Sequence, residues 1–411
     1  VKGMSLGLKE ALSLTLERIK PLPAENVALI DGVDRVAASD LYALVDSPSV
    51  DASRKDGYAV SYRDVAGATP ENPARLRLLG SMAAGGAKDF HVKSGTAVRV
   101  LTGARIPPGA DAVLAEEFVK LVDSDMVVET FAGAEGNTLP PGRNILPRGG
   151  DVAFRKCVLR AGQPISPVRA GLLAVAGHST VPVFRNPVVG IIGTGDEIVE
   201  PGKSLAEGEV YASNIVTLAG WCHKYKMKPR MAIVKDDPAA ILNVLQTMSA
   251  ETDALITSGG AWTGDRDMVA QVLEGLGWNE VFHRIRMGPG KAVGFGILDE
   301  KPVFILPGGP PSNLMGFLQI SLPGLLALSG HTNPGLSGIY ARLASDIRGG
   351  DPDWTDFFFG ALEPGEGLPS FYPMKKRSRL SAIAEAAAVA SIPEGRNHLA
   401  EGSIIYVQLL T

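Results

Sequence analysis

Residues Gly190–Glu197 read GIIGTGDE, an apolar run that breaks into a glycine turn and closes on two acids. The same design returns in LITSGGAWTGDRD (Leu255–Asp267) and in FILPGGPPSN (Phe304–Asn313). Each stretch joins a strand-like run to a segment with helical character. If these strands lie side by side and parallel, all three turns open on one edge of a sheet. Backbone N–H groups and helix N-termini converge there, and open α/β sheets take their ligands at that edge. Glycine lets main chain approach an anion closely and adopts φ > 0 without steric cost. The expectation is a rim that grips a phosphate-bearing ligand and places acids beside it.

Outward from these turns, strand and helix patterns alternate from Asn186–Pro187 onward. VVGIIG is followed by NIVTLAGWCHKY, with Ser213 or Asn214 as N-cap. RMAIVK, then PAAILNVLQTM with Pro238 in its first turn, DALITS, DMVAQVLEGLG, KPVFILP and a helix over Leu314–Leu328 complete the series. Such alternation predicts a doubly wound, mostly parallel sheet in a multi-domain α/β chain. Upstream, Leu8, Leu12, Leu16 and Ile19 have helical spacing ended by Pro21, and SPVRAGLLAVAG (Ser166–Gly177) reads as a helix with a glycine cap. Between them RLRLLG, AVRVLTG, DAVLAEEFV and MVVETF read as short strands of an inserted β module. IYARLA, DFFFGAL, AAAVASI and SIIYVQLL suggest a C-terminal β domain. The expected division is a discontinuous mixed domain (1–46 and 142–177), an inserted β domain (47–141), an α/β domain (178–330) and a β domain (331–411).

The bulk numbers narrow the function classes. A chain of 411 residues exceeds one ordinary core, and 45% hydrophobic with 20% charged residues describes a folded protein. A formal net charge of -4 gives no general pull toward nucleic acid or a membrane surface, so anion binding must be local. Cys157 and Cys222 show neither a disulfide framework nor zinc-ligand spacing, and a reducing cytoplasm fits them best. The histidines are scattered without an HExxH, and neither a G-x-S-x-G elbow nor a Walker lysine motif is present. Gly316, Gln319, Ser321 and Pro323 interrupt the longest apolar stretch, which suits a buried helix better than a membrane span. The opening VKGMSLGLKEAL lacks a basic segment followed by an apolar one, so no leader is expected.

Candidate ligand contacts follow from the turns: Thr194, Gly195, Asp196 and Glu197 in the first, Ser258, Gly259, Gly260 and Asp265 in the second, and Pro307, Gly308 and Ser312 in the third. Asp265 and Asp267, two apart, can face one cation in an extended loop, although either could instead cap the next helix. Lys291 follows a Pro-Gly turn in RIRMGPGKAVGFG and could neutralise an oxyanion, against the commoner fate of a solvated lysine. Asp56–Gly57 in DASRKDGYAV forms a hairpin-like turn, and nothing physical in that string alone forces catalysis. KKRSR (Lys375–Arg379) is a basic run that either attracts anions or is a solvated loop.

Taken in order, SPSVDASRKDGYAV, VRVLTGARIPPGADAVLAEE, GRNILPRGGDV, GIIGTGDEIVEPG, GEVYASN, DALITSGGAWTGDRD, MGPGKAVGFG and VFILPGGPPSN resemble the MoeA family. These are molybdopterin molybdenumtransferases related to the E domain of gephyrin. The resemblance implies an elongated four-part subunit, a homodimer with its cleft between the α/β domain and partner domains, and a cytoplasmic enzyme. It implies transfer of molybdate to adenylylated molybdopterin with release of AMP, aided by Mg²⁺, and a molybdopterin adenylyltransferase as upstream partner. By the same resemblance Asp56, Asp267 and Lys291 are catalytic, Asp56 and Asp151 hold the cation, and Lys291, Ser312 and Arg379 hold the oxyanion. The chain departs from the family pattern at Arg54–Lys55, Gly150, Ala212, Trp262, Gly288, Ala292 and Gly309. These departures leave open a non-catalytic paralogue that binds molybdopterin or a nucleotide derivative, and a tungstate-specific transferase.

Overall fold

Six strands assemble into one sheet in the middle of the chain: β1 (Val188–Thr194), β2 (Lys228–Val234), β3 (Ala254–Ser258), β4 (Asn279–His283), β5 (Gly294–Leu298) and β6 (Lys301–Leu306). Their spatial order is β2-β1-β3-β6-β5-β4. The first four run parallel, and β5 is antiparallel to both its neighbours. Helices α1 (Ser213–Lys224) and α2 (Pro238–Glu251) connect β1, β2 and β3, and α3 (Met268–Gly275) precedes β4. The computed structural model describes residues 6–410 apart from 69–70, 87–88, 124–126, 131–139, 260–267, 366 and 375–379.

Strand alternation places successive side chains on opposite faces, and both faces are covered. Ile191, Ile256 and Phe304 enter one core with Ile215 and Leu218 of α1, whereas Ile192, Leu255 and Ile305 enter another with α2 and α3. The doubly wound sheet expected from the sequence is therefore present. The pairing of β4 with β5 was not anticipated; β5 begins in the GFG end of a stretch read only as a lysine-bearing turn. The last helical run also begins earlier than expected, as α4 (Pro310–Gly316), a π turn (Phe317–Ser321) and α5 (Leu322–Leu328). Proline is tolerated in a first helical turn, because its missing N–H would be unpaired there anyway. Pro323 lies two residues after the π turn, which widens the backbone where a regular N–H donor is missing.

The remaining chain surrounds this sheet. Helix Leu8–Glu17 packs on the Phe317–Leu328 run, and Ala11 and Ile19 share a core with Phe304 and Leu325. Ala24–Ala28 pairs with Thr180–Phe184, and Ala52–Ser53 with Ile145–Leu146, so the segment between them leaves and returns. That segment forms a six-stranded sheet in the order Ala112–Ala115, Gly57–Val60, Thr96–Val100, Ala74–Met82, Val127–Thr130, Val119–Asp123. Beyond α5, Thr355–Glu363, Ser370–Pro373, Gly338–Leu343, Ile404–Leu409 and Ala388–Ile392 follow one another in a sheet, and the last pairs back to the first. The result is a closed β-barrel around Phe358, Phe371, Ala390 and Val407. An ion pair fastens the base of the central sheet. The Arg185 fork donates two 2.7 Å bonds to Asp253, which also accepts from the Val188 amide at 2.8 Å. Among the described residues no helix is long and apolar enough to cross a membrane.

Candidate active site at the glycine rim

Registration of the parallel strands builds the rim. Gly193 of β1 lies opposite Ser258 of β3, and Ser258 lies opposite Leu306 of β6, so three glycine turns leave the sheet at one level. Gly259 sits at φ 104°, and a Cβ there would stand 2.2 Å from the Thr194 carbonyl oxygen. Only glycine lets these two backbones touch. Two amide side chains then fasten the turns together. Asn214 Nδ2 donates to Ser258 Oγ at 3.2 Å and to Gly308 O at 2.7 Å. Asn313 Nδ2 donates to the same Ser258 Oγ at 2.9 Å and to Pro307 O at 2.9 Å. Asn313 is 1% exposed, so its bonds have no competing water. The N-cap expected from Ser213 or Asn214 is not formed, since Ala212 occupies that position and Asn214 works across strands.

A cleft of about 280 Å³ opens above this junction, walled by Thr194, Glu197, Ala212, Ser258, Gly259 and Gly308 among others. Gly195, Asp196 and Pro307 belong to the same turns without lining it. A carboxylate that the sequence reading passed over joins the rim from the end of β2. The Asp236 amide donates to Asp196 Oδ1 at 3.3 Å, and Lys235 Nζ binds the Asp196 carbonyl. Partial burial and then the charges of Asp196 and Glu197 raise the Asp236 pKa above the ordinary carboxylate value. Its signal was hidden in KDDP, where Asp237 caps α2 through the Ala240 amide at 2.8 Å. Only strand order shows that its neighbour lies beside Asp196, at the edge where the glycine turns leave the sheet.

On the other side of the Gly308–Pro310 turn lies a second recess, of about 470 Å³, between Pro289, Pro310 and Ser312 on one wall and Asp356 and Phe357 of the barrel on the other. Lys291 is exposed beside it. Gly290, one residue earlier, sits against the start of α4, where a Cβ would touch the Ser312 carbonyl oxygen at 3.4 Å. Lys291 and Ser312 thus stand at neighbouring turns.

Asp56 and Asp151 are placed elsewhere. Ser53 pairs with Ile145, and Gly57 pairs with Val100 and Ala115, so Asp56 lies in a bend between two sheets and the hairpin-like turn expected there is absent. Asp56 Oδ1 accepts from the Thr102 amide at 2.6 Å and from the Thr102 hydroxyl at 2.8 Å. These bonds lower its pKa, so the carboxylate is charged at neutral pH. Asp151 is exposed, and its amide donates to Ser47 O at 3.0 Å. Among the described residues no hydrogen bond or ion pair joins either acid to the rim. Nor does any group of three His, Cys, Asp or Glu among them gather as a cation site. Gly260, Trp262, Asp265 and Asp267, together with Arg379 and the rest of KKRSR, lie outside the described residues.

Known proteins fit this geometry. Residues 6–177 match a family described as the MoeA N-terminal region (domains I and II), and residues 190–327 match one described as a probable molybdopterin-binding domain. A molybdopterin molybdenumtransferase of Synechococcus elongatus is 31% identical over 99% of this chain and 100% of its own length. One from Haemophilus influenzae is 34% identical over 79% of this chain and 78% of its own. A solved structure of the molybdopterin biosynthesis protein MoeA from Pyrococcus horikoshii, 29% identical, superposes with a TM-score of 0.83 over 98% of this chain and 99% of that one.

Proposed function

This chain belongs to the MoeA family of molybdopterin molybdenumtransferases, and from that premise we propose that it transfers molybdate to adenylylated molybdopterin, releasing AMP and forming molybdenum cofactor. The carrying observation is the rim, where three glycine turns on consecutive parallel strands are fastened by Asn214 and Asn313. A pyrophosphate-linked pterin is a polyanion with hydrogen-bond donors on its ring. The Gly195 and Gly259 amides are bonded to Val234 O and Leu306 O, so its phosphates fall to the other main-chain amides of these turns, and the acids Asp196, Glu197 and Asp236 suit its N–H groups. Because the amides are held in place before ligand arrives, little ordering cost falls on the bound state.

Lys291 and Ser312, at adjoining turns, supply a cation and a hydroxyl for the molybdate dianion, with Arg379 as the third contact. Asp56, charged and with only one oxygen committed to Thr102, keeps its other oxygen for a cation or a substrate proton. Asp267 is assigned with it, from the acidic loop. The described residues do not gather a Mg²⁺ site by themselves; Asp56 and Asp151 are the carboxylates the reading assigns to the ion. When bound, the ion would neutralise phosphate charge.

A homodimer belongs to the same reading. Val168 at 82% exposed and Ile30 at 77% lie on the touching elements Pro167–Val175 and Leu29–Gly32, an apolar surface that a second copy would cover. A partner's Asp56 would then reach a rim that its own chain leaves open. The division into four units, a cytoplasmic setting and hand-over from a molybdopterin adenylyltransferase complete the proposal. The return of 180–184 to 24–28 supports a discontinuous first unit and carries it past 177, whereas 145–146 pairs with 52–53 of the inserted unit.

Incubation with adenylylated molybdopterin, Mg²⁺ and molybdate tests the reaction, and AMP should appear in step with cofactor. Ligand binding without AMP above a buffer control would leave only the non-catalytic reading. AMP with tungstate but not molybdate would change the metal.

A further inference from the structure

The turn that carries Lys291 is rooted in the barrel as well as in the central sheet. Met287 and Gly288 add a short parallel strand to the barrel, opposite Thr355 and Asp356, and the Ile285 amide donates to Lys291 O at 2.9 Å. Arg286 is the root of that excursion. Its amide donates to Leu6 O at 2.9 Å, its carbonyl accepts from Thr355 N at 3.2 Å, and its Nε donates to Asp353 O at 3.0 Å. Its guanidinium lies 3.5 Å from Glu394 Oε2, on the barrel. The other oxygen of Glu394 accepts at 3.1 Å from the amide of Leu8, which opens helix Leu8–Glu17. Gly7 leaves the carboxylate no spare room, since a Cβ there would lie 2.1 Å from Oε1.

One barrel carboxylate therefore ties together segments from the two ends and the middle of the chain. Helix Leu8–Glu17 packs on the Phe317–Leu328 run, which continues from α4 and Ser312. Arg286 holds the Lys291 turn. We propose that Glu394 is a positioning residue that sets the spacing of Lys291, Ser312 and the Asp356 wall, and thereby the affinity for a tetrahedral oxyanion. The proposal rests on the reading above that Lys291 and Ser312 hold molybdate. The bond from the helix amide is charge-assisted and the guanidinium stands within ion-pair distance, so losing the carboxylate loosens two walls of the recess at once, while the other bonds of Arg286 remain.

The test is molybdate titration by calorimetry on the full chain, with AMP release measured in parallel. Glu394→Gln keeps a neutral acceptor for Leu8 and loses the charge pairing, and should weaken molybdate binding about 3-fold; Glu394→Ala should weaken it about 10-fold. In turnover, KM for molybdate should rise by the same factors with kcat nearly unchanged. Asp346→Asn, which breaks a 3.0 Å pair with His398 elsewhere on the barrel, should leave molybdate affinity alone. The proposal is overturned if Glu394→Gln binds molybdate as wild type does, if Asp346→Asn weakens binding equally, or if the wild type binds no molybdate. Weakened binding in the Glu394 variants of a wild type that releases no AMP would uphold the positioning role and reject the transferase reading.

Discussion

The glycine rim and the Asp56 bend are built in opposite ways. At the rim, backbone touches backbone, two asparagine side chains are spent on fastening, and Asn313 is almost wholly buried. At the bend an exposed carboxylate is held through one oxygen by a single neighbour, Thr102. The rim is rigid before ligand arrives, and the bend offers charge to whatever comes against it. A surface that must fit a large anion gains when its donors are already ordered, whereas an acid that acts on that anion needs charge and access.

Separate substitutions can break this contrast. Asp56→Ala should reduce AMP release by about 100-fold or more while the chain stays folded, its thermal midpoint lowered only by the loss of the Thr102 bonds on an exposed side chain. An unaltered rate would remove Asp56 from the reaction. Gly259→Ala should do the reverse, costing about 2–4 kcal/mol in urea unfolding because the added methyl meets the Thr194 carbonyl at a left-handed φ. Wild-type stability there would mean that the turns do not touch as described.

The two staples grade the rim itself. Asn313→Ala strands Pro307 O in a buried place, leaves Ser258 Oγ to Asn214 alone and should cost about 2 kcal/mol; the half-buried Asn214→Ala should cost about 1 kcal/mol. Equal losses would contradict the difference in burial. Away from both regions, burial opposes the charge on Asp253, but the Arg185 fork and the Val188 amide overcome it and depress the pKa. A depressed carboxylate contributes stability fully above its unfolded value of about 3.9, and that contribution disappears as pH falls through the folded value. Arg185→Met should therefore lie below wild type by a constant amount above about pH 5, and the gap should close on acidification below about pH 4. A gap independent of pH would refute the ion pair's role.

How much of this was legible in the chain varies with the range of the interaction. Alternating strand and helix runs over 188–306 announced the doubly wound sheet, and glycine after β1, β3 and β6 announced the one edge where these turns leave it. Strand β5 was missed because its GFG start carries little strand propensity and gains its place by pairing with Lys301–Leu306. Asp236 was missed because the Asp-Pro pair beside it reads as a helix start. Asn214 was read as a cap because a polar residue before an apolar helix normally is one. Its true partners, Ser258 and Gly308, are far along the sequence.

Local chemistry thus determined what can be stated from the residues alone: which runs are strands or helices, where the backbone must turn, and which ligand class those turns suit. Periodicity and turn preference depend on near neighbours, so they survive in a one-dimensional string. Strand order, the staples at Ser258, the recess between Ser312 and Asp356, and the knot at Glu394 were decided only by the folded chain. Each depends on contacts between distant segments, whose partners no local pattern names.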